Sequence, residues 1–149
     1  MNVHNQLQID PGCLESGESG EELEVVVPYT ERSITAATLE RALALTAGLN
    51  AKIMLVAVHA VPYPLTFGCP SAVHAHLVEQ LVDLASRCRL PVSPQVVLAR
   101  SRDEGFQHAL KPGSSVLVGS RKHLWRTSEE RLARSLARDG HRVALVHVT

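Results

Sequence analysis

The run from Gly119 to Arg126 has the residue types best suited to hold an anion. It contains four basic side chains, Arg121, Lys122, His123 and Arg126. Such cations bind phosphate or carboxylate groups. A cradle for a triphosphate also needs glycines, which let backbone N–H groups approach the anion, and Gly119 is the only glycine in the run. We expect either an anion site without a glycine loop or a solvated loop whose cations balance Glu129 and Glu130.

The residues after this run predict a helix that is capped by its own side chains. Thr127 and Glu130 have the spacing of a capping box, in which the cap residue and the third helical residue satisfy each other's backbone donors. Glu129 and Glu130 stand in the first turn, where carboxylates favour the helix dipole and repel a phosphate. The pattern therefore disfavours an ordinary phosphate site at this helix.

Metal and nucleophile patterns are weak elsewhere in the chain. Cys69, His74 and His76 are of ligand type, but the two histidines stand two apart on a predicted helix and point away from each other. No G-x-S-x-G turn accompanies any of the serines considered as nucleophiles, which are Ser33, Ser71 and Ser120. We expect no metal site, no catalytic residue and no enzyme activity.

Five apolar runs predict the strands that must position these groups. They are residues 23–29, 51–61, 95–100, 115–118 and 142–148. Continuous β-branched runs are typical of strands buried on both faces of a sheet. Such strands, alternating with helices, predict a mostly parallel, doubly wound α/β sheet, which binds ligands at the carboxyl ends of its strands.

Between the predicted strands, apolar residues recur at helical spacing, which predicts a helix in each interval. Ser33 is the expected cap of the first helix and Gly48 its left-handed terminator. Ser71 is the expected cap of a second helix that buries Val73, Leu77, Leu81, Leu84 and Cys88. A short third helix is predicted over 103–110 and a fourth over 127–139, with Gly140 after it.

Three segments resemble the universal stress protein family. Val27 to Arg32 (VPYTER) stands where the family has V-P-V-D-G-S, Gly48 to Lys52 matches the approach to strand two, and Val116 to Arg121 (VLVGSR) matches V-x-G-S-R. The resemblance covers residues 23 to 148. It implies a five-stranded parallel sheet of order 3-2-1-4-5.

The nucleotide motif of that family, G-x2-G-x9-G-[ST], is mostly absent from this chain. Gly119 matches its first position, while Lys122 and Leu132 stand at the next two glycines. Thr30 replaces the acidic residue that the family associates with the nucleotide. No cofactor is therefore expected, and any nucleotide would bind through a degenerate loop. The candidate ligand residues are Pro28, Tyr29, Thr30, Val58, Gly119, Ser120, Arg121, Lys122 and Thr127.

The resemblance implies a binding and dimerisation domain with a stress or regulatory role, which we expect not to hydrolyse ATP. A homodimer would form through the last strand, Arg142 to Val148, because an apolar edge strand left open invites aggregation. Two alternatives remain. One is a member that binds ATP or AMP through a degenerate phosphate loop, and the other is a detached regulatory module of a transporter or sensor. Such a module would bind a protein partner.

Composition excludes several classes of partner. Fifteen basic and fifteen acidic residues give a net charge of zero, and aromatic residues are only 3% of the chain, so we expect no nucleic acid binding. No apolar run is long enough for membrane insertion. Three widely spaced cysteines suit reduced thiols and a cytoplasmic protein. Residues 1–22 predict a flexible acidic segment, and residues 23–149 predict one folded domain.

Overall fold

The computed structural model describes residues 22–61, 63, 72–89, 91–122 and 127–148. Most of the predicted acidic segment, residues 1–21, lies outside the described residues, as do Cys69, Ser71, His123 and Arg126. The predictions that concern those residues therefore stay predictions. Among the described residues, no helix is both long enough and apolar enough to cross a membrane.

All five predicted strands are present and form one parallel sheet. Their bounds are β1 Leu23–Pro28, β2 Ala51–Ala60, β3 Val92–Ala99, β4 Ser115–Arg121 and β5 Arg142–Val148. The strand order is β3-β2-β1-β4-β5, and every neighbouring pair is parallel. This order confirms the predicted fold class. It leaves β3 and β5 as the two edge strands.

Four helices cover the two faces of the sheet. Their bounds are α1 Arg32–Leu45, α2 Ala72–Ser86, α3 Arg102–Ala109 and α4 Ser128–Arg138. Leu39 of α1 and Leu81 of α2 pack in one core cluster, whereas Phe106 of α3 and Leu132 of α4 pack in a second. Helices α1 and α2 therefore cover one face of the sheet, and α3 and α4 cover the other.

The central strand β1 shows why its sequence is continuously apolar. Val25 and Val27 belong to the core cluster under α1 and α2, while Val26 between them belongs to the cluster under α3 and α4. Side chains alternate between the two faces of a strand, so both sets are buried only when helices cover both faces. Val26 and Val27 are almost completely buried.

Several predicted boundaries are wrong, and each error has a physical reason. Strand β3 begins at Val92, three residues early, and contains Pro94. A proline is tolerated there because β3 is an edge strand. Helix α1 begins at Arg32 with Glu31 at the cap position, so Ser33 is not its cap. The Ser33 hydroxyl instead donates a hydrogen bond to Glu31 Oε1 at 2.7 Å.

The remaining helix predictions were met in part. Val73 was expected on the buried face of α2, but it is 63% exposed, whereas Leu81 and Leu84 are buried as predicted. Gly48 and Gly140 have φ angles of +81° and +89°, which confirms the left-handed turns expected after α1 and α4.

Candidate functional site

Most of the predicted ligand residues lie at or just beyond the carboxyl ends of β1, β2 and β4. β1 and β4 are neighbours at the centre of the sheet, with Val25 opposite Ser115 in the register. The chain leaves β1 for α1 on one face and leaves β4 for α4 on the other. This is the point at which the strand order reverses, where open α/β sheets bind their ligands.

Gly119 lies in β4 under the first turns of α1. A Cβ atom at this position would overlap Thr38 Oγ1 and lie 2.9 Å from Ile34 Cγ2. The Thr38 hydroxyl is itself fixed, because it donates to the Ile34 carbonyl oxygen at 2.7 Å. Gly119 is therefore required for the close approach of α1 to the sheet, whether or not a ligand approaches it.

Ser120 and Thr127 join the end of β4 to the start of α4. Ser120 is completely buried, and its Oγ lies 3.0 Å from Thr127 Oγ1. The Ser120 hydroxyl donates to the Arg121 carbonyl oxygen at 3.2 Å. Thr127 Oγ1 accepts a hydrogen bond from the Glu130 backbone N–H at 3.2 Å, which confirms the predicted cap. One amide that an anion at this helix would require is thus already satisfied.

Arg121 pairs with the start of α1 across the gap between the two strand ends. Its Nη2 lies 3.3 Å from Glu31 Oε1 and donates to Ser33 Oγ at 2.5 Å. One of the two expectations for this loop is that its cations balance Glu129 and Glu130. For Arg121 the observed acidic partner is Glu31. Lys122 is exposed and forms no ion pair with any other described residue.

The backbone after β1 is satisfied by neighbouring protein groups. Pro28 is buried at the end of the strand, and the Tyr29 N–H donates to the Val56 carbonyl oxygen at 2.8 Å. The Thr30 N–H donates to Thr35 Oγ1 at 3.2 Å, and Thr35 is 1% exposed. The Thr30 amide is therefore already bonded within the protein.

Val58 lies on the other face of the sheet. A Cβ atom on Gly105 of α3 would overlap Val58 Cγ1 and lie 2.6 Å from Val58 Cγ2. Val58 thus packs under α3, whereas Tyr29 packs against the cluster under α1 and α2. Of the predicted ligand residues, the structure links Ser120 with Thr127 by a hydrogen bond, and it directs Val58 away from Tyr29.

The two histidines of α2, His74 and His76, have different neighbours in the structure. His74 stacks on His59, with ring centroids 5.9 Å apart and ring planes at 28°. His76 Nε2 instead lies 3.4 Å from Gln80 Nε2 on the same helix. In the part of the chain that the structure describes, no three His, Cys, Asp or Glu side chains are grouped closely enough to hold a metal ion.

Of the comparisons with known proteins, the one with solved structures finds a similar architecture. No family model matches the sequence, and no curated protein matches it. A solved structure is similar, "Crystal structure of universal stress protein in complex with cAMP", with a TM-score of 0.50 and 18% sequence identity. The match covers 87% of this chain and 100% of that chain. This chain has the universal stress protein fold.

The candidate site also contains three side chains that the sequence analysis did not predict as site residues. Glu31, Thr35 and Thr38 form the α1 side of the site through their contacts with Arg121, Thr30 and Gly119. Glu31 and Thr35 are separated by one turn of helix, and Thr38 follows about one turn later. This spacing places the three side chains on one face of the helix. It is the sequence signal from which they could have been predicted as neighbours of one site.

Proposed function

We propose that this chain is a universal stress protein-like binding domain with a regulatory role in the cytoplasm, and that it does not hydrolyse ATP. The site after β4 supports this proposal because its groups already bond to one another. Arg121 is engaged by Glu31 and Ser33, and Thr127 caps α4. A triphosphate would have to displace these partners without the glycine loop that exposes backbone donors.

The single observation that carries the proposal is the contact of Arg121 with Glu31 and Ser33. An exposed ion pair of this kind contributes about 0.2–1 kcal/mol, so a strong anionic ligand could break it. However, Glu31 would then remain beside the anion and repel it. Release of inorganic phosphate from Mg-ATP tests the claim that the chain lacks hydrolysis.

The proposed domain acts as a homodimer through β5. β5 pairs with β4 along one side only, from Arg142 to Val148, so its other side carries no strand among the described residues. Apolar edge strands with unpaired backbone groups pair readily with another strand. Light scattering at micromolar concentration should give twice the chain mass of 16.2 kDa. A stable dimer has a dissociation constant well below about 100 μM. A protein that stays monomeric at all concentrations up to that value would therefore overturn the dimer.

Nucleotide binding without hydrolysis is the second candidate function. It is favoured by the cAMP complex of the similar universal stress protein and by two cations, Arg121 and Lys122, at the end of β4. Calorimetric titration with ATP, ADP, AMP and cAMP separates the candidates. Heat that saturates at micromolar ligand and is lost in Arg121→Gln would favour this second function, and no heat at millimolar ligand would eliminate it.

A further inference from the structure

A groove between α1 and the end of α2 lies apart from the site after β4. Its volume is about 670 Å³. Its floor is apolar, formed by Ala36, Leu39, Leu43 and Leu84, and Cys88 lies at its end beyond α2. We call this feature the α1–α2 groove. Its size is within the usual range of small-ligand sites, but its open shape also suits an extended segment of polypeptide.

Basic side chains exceed acidic ones along the α2 side of the groove. Arg32 bonds to Gln80 and to Asp83, and Arg87 Nη2 lies 3.3 Å from the same Asp83 carboxylate. Arg89 lines the groove and forms no ion pair with any described residue. Arg32 and Arg87 therefore share one carboxylate, and Arg89 has no acidic partner among the described residues.

The opposite wall offers little compensation for that charge. Glu31 is engaged by Arg121, which leaves Glu40 as the one acidic side chain of the described lining outside an ion pair. The groove thus suits an occupant with apolar and acidic side chains.

The chain itself supplies such an occupant. Residues 1–21 contain four acidic side chains and no lysine or arginine; the acids are Asp10, Glu15, Glu18 and Glu21. Leu14 directly precedes the three glutamates. Because this composition is complementary to an apolar floor with arginines along one side, the segment fits the groove better than a basic peptide would.

The position at which the chain enters the domain makes this arrangement possible. Leu23, the first residue of β1, lies opposite Ala51, the first residue of β2, and β2 lies beside β3 in the parallel sheet. Because β2 follows α1 and β3 follows α2, the ends of both helices and Leu23 lie at the same edge of the sheet, which is the Cys88 end of the groove. The eight residues from Leu14 to Glu21 span up to about 28 Å when extended. Helix α1, with 14 residues, is about 21 Å long. The segment is therefore long enough to follow the groove.

We propose that residues 14–21 bind in the α1–α2 groove of their own chain. Leu14 contacts the apolar floor, and the glutamates lie beside Arg87 and Arg89. Ordering eight residues is costly in conformational entropy, so the bound state is weak and reversible. Its ion pairs are exposed, so it weakens as salt rises. When residues 14–21 are released, the groove can bind another acidic, partly apolar segment.

The first experiment places a nitroxide on Cys13 of the full chain, in a variant with Cys69→Ser and Cys88→Ser. We expect paramagnetic broadening of the amides of Ala36, Leu43 and Arg87 at low salt. The broadening should be lost at about 0.5 M salt, where the Debye length is only a few ångströms. Arg89→Gln should reduce it, and the matched control Arg138→Gln, at the end of α4 on the other face, should not.

The opposite results would overturn the proposal. Broadening confined to the residues next to Leu23, or unchanged in Arg89→Gln, would show that the segment does not occupy the groove. Broadening in a mixture of spin-labelled and isotope-labelled chains would assign the groove to the segment of a second copy, which also contradicts the proposal.

A second measurement uses Cys88 as a reporter in a full chain with Cys13→Ser and Cys69→Ser. Replacing Glu15, Glu18 and Glu21 by glutamine should speed alkylation of Cys88 about threefold to tenfold, the range expected for loss of a few exposed ion pairs. An unchanged alkylation rate counts against the proposal. Neither measurement depends on ATP hydrolysis or β5 pairing, so its failure is distinguishable from failure of the proposed function.

Discussion

Gly119 of β4 lies directly under Thr38 of α1, with no space for a side chain between them. The residue that most resembled part of a phosphate loop therefore has a packing role in this chain. The first turns of α1 approach β4 closely enough that Ile34 also meets the missing Cβ position at 2.9 Å. A glycine in this motif is thus insufficient evidence for a ligand that approaches the backbone.

Replacement of Gly119 by alanine should destabilise the fold. The added methyl group overpacks the contact with Thr38 and Ile34, and overpacking of a core contact costs about 1–3 kcal/mol. Urea denaturation measures the change in the free energy of unfolding.

The matched control for Gly119→Ala is a double-mutant cycle with Thr38→Ala. Because the second change removes the overlapping hydroxyl, the two changes together should cost less than their sum. An alanine at 119 with unchanged stability, or strict additivity with Thr38→Ala, would contradict the packing role.

Replacement of Thr127 by alanine should destabilise α4 by about 1 kcal/mol, because the Glu130 N–H loses its acceptor. The buried Ser120 hydroxyl also loses its neighbour at 3.0 Å. Thr127→Ser keeps the hydroxyl and should retain most of the stability. Thermal unfolding of both variants makes the comparison; equal losses in the two would indicate that the methyl group of Thr127 matters and the cap does not.

The ion pair of Asp83 gives a pH prediction. The hydrogen bond from Arg32 is the main cause that lowers the pKa of Asp83, against partial desolvation that raises it, and Arg87 adds to the lowering. A carboxyl with a depressed pKa in the folded state stabilises the fold fully above its unfolded pKa of about 3.9 and loses that contribution as pH falls through the folded pKa.

The Asp83 titration can be followed by the carboxyl carbon resonance. Arg32→Gln should move the midpoint up towards the ordinary value, and Arg87→Gln should move it less. A midpoint that stays unchanged in Arg32→Gln would show that this guanidinium does not determine the charge of Asp83 in solution.

The thiol of Cys88 should be slow to react at neutral pH. Burial raises the pKa of Cys88, and the negative charge of Glu40 raises it further. Only the thiolate is nucleophilic, so the alkylation rate should rise steeply as pH approaches the raised pKa. In a chain with Cys13→Ser and Cys69→Ser, Glu40→Gln should increase the rate at pH 8. A rate equal to that of a free model thiol would contradict this environment.

The fold class could be predicted from the sequence because strands that are buried on both faces have continuous apolar sequences. Val25, Val26 and Val27 could only be buried together under helices on both faces, which is what the structure has. The start of β3 was missed because Pro94 reads as a strand breaker, and only the position of β3 at the sheet edge permits it.

The site was predictable only where its contacts are local. The Thr127 cap follows from the spacing to Glu130, three residues on. The contact of Arg121 with Ser33 joins residues 88 positions apart. It depends on the packing of α1 against β4, which no local pattern encodes.

The central claim is that the site after β4 is occupied by the chain's own side chains and does not turn over ATP. Phosphate release from millimolar Mg-ATP by the purified chain is the most direct test, with Arg121→Gln as a matched variant. We predict release equal to the buffer blank for both proteins. Release that is proportional to the chain concentration and is abolished in Arg121→Gln would contradict the claim.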